Sequence, residues 1–193
     1  MNGKRWKLLF LLLLGINLLI FITLLVFISI PAKEEQYLSA KLKTDGYVPF
    51  TVQTNKQDLN DLINHYLNEE GLALANDYKV ILNDAVILSG SVPVFSQNIQ
   101  IKLTFEPKAL ENGDIVLQQK SVSVGQLQLP VSYVLKFISE YSKLPKWVHI
   151  KPNEEKIYVS LQNMKLKSNF KVKVDEINLK EDDIRFTLMV PVR

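Results

Sequence analysis

No cysteine occurs among the 193 residues. That excludes disulfide staples, thiolate metal sites and cysteine nucleophiles together. Histidine is nearly as scarce, with two copies, and glycine is limited to seven. The chain carries no glycine-rich phosphate loop, no H-E-x-x-H and no G-x-S-x-G, so no nucleotide, zinc-hydrolase or serine-hydrolase chemistry is announced. None of its asparagines begins an N-x-Ser/Thr sequon. A domain outside the membrane without disulfides or sequons fits a bacterial surface, above all a Gram-positive one. The expectation is a protein that is not an enzyme and needs no cofactor and no metal.

What the chain does have is one long apolar run, residues 8–30 (LLFLLLLGINLLIFITLLVFISI). As a helix it measures ~34 Å, enough to cross a hydrocarbon core of ~30 Å. A cleaved signal peptide has an apolar region of only ~7–15 residues, so a retained anchor is expected. Lys4, Arg5 and Lys7 precede the run with no acid among them, which places the N-terminus in the cytoplasm by the positive-inside bias. Subtracting those three from 23 Lys plus Arg leaves 20, against 20 Asp plus Glu. The outer part is therefore neutral, and nucleic acid, which is bound largely through phosphate neutralisation, is excluded as a partner. The expected segments are a cytoplasmic basic tail (1–7), a transmembrane helix (8–30), a polar stalk (31–47) and an extracytoplasmic domain (48–193).

Within the domain, Thr54-Asn55-Lys56-Gln57 has the form of a capping box. Leu59, Leu62, Ile63, Tyr66 and Leu67 succeed it at helical spacing, and Gly71 ends the helix. Long apolar and alternating stretches then predict an antiparallel meander, turned at Asn112-Gly113-Asp114. A second amphipathic helix starts at Pro130, with Val131, Val134, Leu135, Ile138 and Tyr141 on its apolar stripe, and Pro145 stops it. The apolar phase slips between Leu117 and Val122 and again at Gly125. Each slip reads as a β-bulge, which bends a strand and increases its twist. The predicted fold class is α+β: an N-terminal transmembrane helix followed by a curved antiparallel β-sheet packed around two amphipathic helices.

An apolar groove between sheet and helix would be lined by Leu127, Leu129, Val134, Leu135, Ile138, Tyr141 and Trp147, with Lys143, Lys146 and Lys151 attracting lipid head groups. The same stripes also describe a closed core. His65 and His149 are expected to be structural, and Glu181-Asp182-Asp183 fits a hairpin turn better than a calcium site. The expected function is non-catalytic binding of a lipid or other amphiphile of the cell envelope. The alternative is a scaffold for an envelope protein.

Several landmarks carry a family likeness. They are the basic N-terminus with its single span, Val86-Ile87-Leu88-Ser89-Gly90, Phe105-Glu106-Pro107, Asn112-Gly113-Asp114, Gly125-Gln126-Leu127-Gln128-Leu129-Pro130, Leu144-Pro145-Lys146-Trp147-Val148 and the terminal Ile184 to Pro191. With them the whole chain resembles the YpmS family of membrane-anchored proteins of Gram-positive bacteria. The resemblance implies a membrane anchor and supplies no catalytic residues. A helix wrapped by a curved sheet is also similar in shape to envelope domains of the tubular lipid-binding type, which implies a lipid ligand by analogy of fold.

Overall fold

A computed structural model describes residues 3–29, 37, 46–69, 79–94, 97–124, 130–141, 144–166 and 169–192. The chain divides into two compact units, Met1–Lys33 and Glu34–Arg193. The first is built on one helix, α1 (Gly3–Ser29). Its stretch Trp6–Val26 is 21 residues long and apolar enough to cross a membrane, and its side chains are exposed. Asn17 Nδ2 and Thr23 Oγ1 donate to the carbonyls of Leu13 and Leu19, at 2.9 and 2.8 Å. The polar side chains are thus satisfied inside the helix, as a hydrocarbon setting demands.

The second unit is α+β, and it departs from the expected single sheet. It holds two antiparallel sheets. Strands β2 (Lys79–Leu82), β3 (Val86–Val94), β4 (Gln97–Ala109), β5 (Ile115–Val124), β6 (Val148–Lys151) and β7 (Lys156–Val159) form one, in the order β2-β3-β4-β5-β7-β6. The other has the order β1-β9-β8, from β1 (Tyr47–Thr54), β8 (Lys171–Asn178) and β9 (Asp183–Pro191). Strand β1 has no counterpart among the elements expected from the sequence. Its signal was present, because Val48, Phe50 and Val52 alternate with Pro49, Thr51 and Gln53. Pro49 masks that signal, since proline enters sheets mainly on edge strands, and β1 is one.

The slip between Leu117 and Val122 is a bulge in β5. Phe105 pairs with Gln119 and Thr104 with Ser121, leaving Lys120 as the extra residue. A second bulge leaves Asp175 unpaired between Val174 and Glu176 in β8. The slip expected at Gly125 lies outside the described residues.

Helix α2 (Lys56–Glu69) is capped one residue later than the sequence suggests. Asn55 Oδ1 accepts from the Asp58 amide at 2.8 Å, and Asp58 Oδ2 accepts from Asn55 Nδ2 at 2.8 Å. Asparagine displaces threonine because its side chain is a better N-cap acceptor. The Asp182 carboxylate accepts from the Lys56 amide at 2.6 Å, tying the β8–β9 turn to the same helix end. That turn accounts for Glu181-Asp182-Asp183, and no cluster of three potential metal ligands occurs among the described residues.

The α2 face is also rotated from its expected stripe, leaving Leu62 63% exposed. The reason is that Asn60 and Asn64 turn toward β2, where they bond the Leu82 amide and both the amide and carbonyl of Val80. They satisfy the outer edge of β2, which would otherwise invite pairing. The core lies on the inward face of the larger sheet, around Leu103, Phe105, Ile150 and Ile157, closed by helix α3 (Val131–Tyr141) and by Leu179 and Ile184 of the smaller sheet's hairpin.

Candidate functional site

Only part of the expected groove and head-group set falls among the described residues. Val134, Leu135 and Ile138 are buried in the core cluster, at 4, 0 and 4% exposure. Leu127, Leu129 and Lys143 lie outside the described residues, as does the side chain of Tyr141. Trp147 sits in the turn before β6, half-buried, with its ring 6.1 Å from that of Tyr66 on α2. Lys146 is exposed, but Lys151 is buried. At 8% exposure Lys151 offers little surface to a head group.

Two other features stand out. One is an apolar sheet face. The registers Val48–Val190, Phe50–Leu188 and Val52–Phe186 place six apolar residues on one side of the smaller sheet, continued on β8 by Val172 and Val174. Val174 is buried and Phe186 packs on the core, but Val48, Phe50 and Val52 are 40, 53 and 42% exposed. Apolar residues aligned in cross-strand rows at the surface commonly mark an interaction site.

The other is a buried carboxylate. The β4–β5 loop makes a tight turn in which the Gly113 amide bonds the Leu110 carbonyl and Leu110 pairs back to Asp114. Gly113 has φ +87°, and a Cβ there would lie 2.1 Å from Lys173 Cγ, so only glycine fits. Its carbonyl accepts from the Val174 amide at 2.9 Å, joining the hairpin to the outer edge of β8. The turn leaves Asp114 with no exposed surface. Its Oδ2 accepts from Tyr37 Oη, Asn112 Nδ2 (2.8 Å) and Ser160 Oγ (3.2 Å), and its Oδ1 from the Gln162 amide (3.4 Å). Gln162 Nε2 in turn donates to the Asn112 carbonyl. Four donors converge on one carboxylate, which is what a buried anion requires.

Tyr37 falls within the stretch 31–47 expected as a stalk, yet it packs against the domain. Its ring stacks on Tyr158, 4.5 Å between centroids, and tilts toward His149 at 5.7 Å. The pairing Val116–Tyr158–His149 across β5, β7 and β6 puts these rings on the face opposite Leu117, Ile157 and Ile150, hence away from the core. His149 meets Tyr37, a partner that no local pattern shows. Asp114 was legible only as part of a turn.

Burial, and next the hydrogen bond to Asp114, push the Tyr37 phenol up from 10 to about 12. Folding thus favours the neutral phenol, so its contribution to stability is complete below pH 10 and is lost as pH rises through about 12. Between pH 10 and 12 the wild-type unfolding free energy is expected to fall more steeply than that of Tyr37→Phe, as read by urea unfolding at stepped pH. Equal slopes would contradict the buried phenol.

A long apolar N-terminal helix followed by a two-sheet α+β unit defines the class: an α+β protein compatible with anchoring to a membrane through its N-terminus. Residues 4–190 match the profile of a family described as "Uncharacterized protein conserved in bacteria (DUF2140)", and the chain belongs to that family. It is 34% identical over 188 residues to "Uncharacterized protein YpmS" of Bacillus subtilis (strain 168), covering 97% of this chain and 98% of that one. No solved structure matches the chain.

Proposed function

We propose that the protein is a single-pass, membrane-anchored binding module that works outside the membrane without catalysis, and that it engages lipid through the apolar face of the smaller sheet. The span is retained, with the N-terminus in the cytoplasm on the bias of Lys4, Arg5 and Lys7. The observation that carries the reading is the exposure of Val48, Phe50 and Val52 in register with Val190 and Leu188. Lipid is favoured over a protein strand for two reasons. The same chain carries a bilayer-length apolar helix, so bilayer lipid is present at high effective concentration. Pro49 also lacks the amide that an added strand would use, which blunts β1 as a pairing edge. Relative to the expected groove, the binding surface moves from α3, whose stripe packs the core, to β1.

The test is photo-cross-linking of the full chain in vesicles made with a diazirine-bearing phospholipid. Adducts are expected on peptides spanning residues 47–54 and 184–191, and Phe50→Asp should reduce them several-fold. Phe50 is half-exposed, so the fold should survive the change. Adducts confined to α1, with one dominant protein cross-link at position 50 in cells, would replace this reading with the scaffold.

A further inference from the structure

Charge is unevenly spread along the strands of the smaller sheet. Toward the β8–β9 hairpin, residues 175–185 carry Asp175, Glu176, Glu181, Asp182 and Asp183 against Lys180 and Arg185. Toward the other end, residues 46–53, 171–174 and 186–192 contain no acid, and their charges are Lys171 and Lys173. That end is also where apolar side chains meet solvent, with Val48, Phe50 and Val192 at 40, 53 and 58% exposure. Among the described residues, ion pairs engage Lys173, with Asp175 at 3.2 Å, and Arg185, with Asp183 at 3.1 Å and Glu176 at 4.0 Å. Lys171 has an aromatic partner instead: its Nζ lies 4.8 Å from the centroid of the Tyr47 ring. The register gives that contact a direction. Lys171 faces Met189 and Met189 faces Pro49, so Tyr47 lies beyond that row, at the terminal pair Tyr47–Pro191. The lysine thus leans toward the end of the sheet, half-buried, with its charge held over a ring.

We infer that Lys171, positioned by Tyr47, is the head-group contact of the lipid-binding face and selects anionic over zwitterionic phospholipid. Tyr47 and Lys171 lie on the face opposite Val48 and Phe50, but the terminal pair is where the two faces meet. There the apolar rows reach acyl chains while the ring and the ammonium rim them at phosphate depth, a setting that suits both side chains. A lysine already held in place gives up less freedom on meeting an anion. The acids stand at the far end of the strands, where they do not repel the same head group. The inference rests on the lipid contact at β1 proposed above and adds which lipid is taken.

The test reconstitutes the full chain in phosphatidylcholine vesicles holding a trace of diazirine-bearing phospholipid, with either a phosphatidylcholine or a phosphatidylglycerol head group. Adducts on peptides spanning residues 47–54 and 184–191 are normalised to those on α1. The phosphatidylglycerol probe should give about fivefold more of them, the factor equivalent to ~1 kcal/mol for one lysine near a charged surface. Lys171→Gln should remove that preference, Lys171→Arg should keep it, and Lys180→Gln, at the acidic end, should leave it intact. Equal adducts from the two probes, or a preference that survives Lys171→Gln, would overturn the inference and leave lipid contact at β1 standing. Adducts on neither strand with either probe would overturn both.

Discussion

Replacing Leu135 by alanine is expected to lower the unfolding free energy by about 2–5 kcal/mol, the range for deleting a fully buried leucine where neighbours cannot collapse into the space. Leu135 lies on α3 with no exposed surface, inside the cluster that includes Leu103, Phe105 and Ile138. Phe137, two residues along the same helix, is 37% exposed. It should cost much less, although its side chain is larger. Urea unfolding of both variants, with the wild type in the same detergent, makes the comparison. It also bears on function. Were the α3 stripe the wall of a vacant groove, Leu135→Ala would cost under ~1 kcal/mol, because truncating a side chain beside an existing void removes few contacts.

The Asp114→Ala variant should lose about 3 kcal/mol, because several donors that now converge on the carboxylate would be left without an acceptor at ~1–3 kcal/mol each, partly offset by entering water. Ser160 has no more exposed surface than Asp114 itself, so its hydroxyl is the donor least able to turn to solvent. Asp114→Asn retains the shape and one carbonyl acceptor, and it is expected to lose clearly less. Since Gly113 also bonds Val174, the alanine variant should loosen the junction of the two sheets, seen as faster amide exchange at Val174. A variant as stable as wild type, with Val174 still protected, would show that the turn does not need its carboxylate.

The helices and most of the strands were legible because each has a short-range signature. Leu59 and Ile63 repeat at helical spacing, while Ile101, Leu103 and Phe105 alternate, and the bulge in β5 shows as a phase slip. The differences arise where distant partners decide. Tyr47 pairs with Pro191, 144 positions away, so nothing near β1 marks it as part of a second sheet. Leu62 fits the α2 stripe by spacing, yet it is exposed because Asn60 and Asn64 are needed at the β2 edge. Lys151 is charged and would be expected at the surface, but it is buried. The Asp114 site draws on residues 37, 112, 114, 160 and 162, a spacing that matches no motif.

By itself the sequence determined the apolar N-terminal helix, the neutral and cysteine-free character of residues 31–193, and the kind of most elements. These depend on composition and on periods of two or 3.6 residues, which any short window contains. Only the tertiary structure decided that the strands split into two sheets, that the α3 stripe fills the core while β1 keeps its apolar face outside, and that Tyr37 meets Asp114. Those outcomes are set by pairing and packing between segments far apart in the chain, where a residue's surroundings depend on partners that local periodicity does not encode.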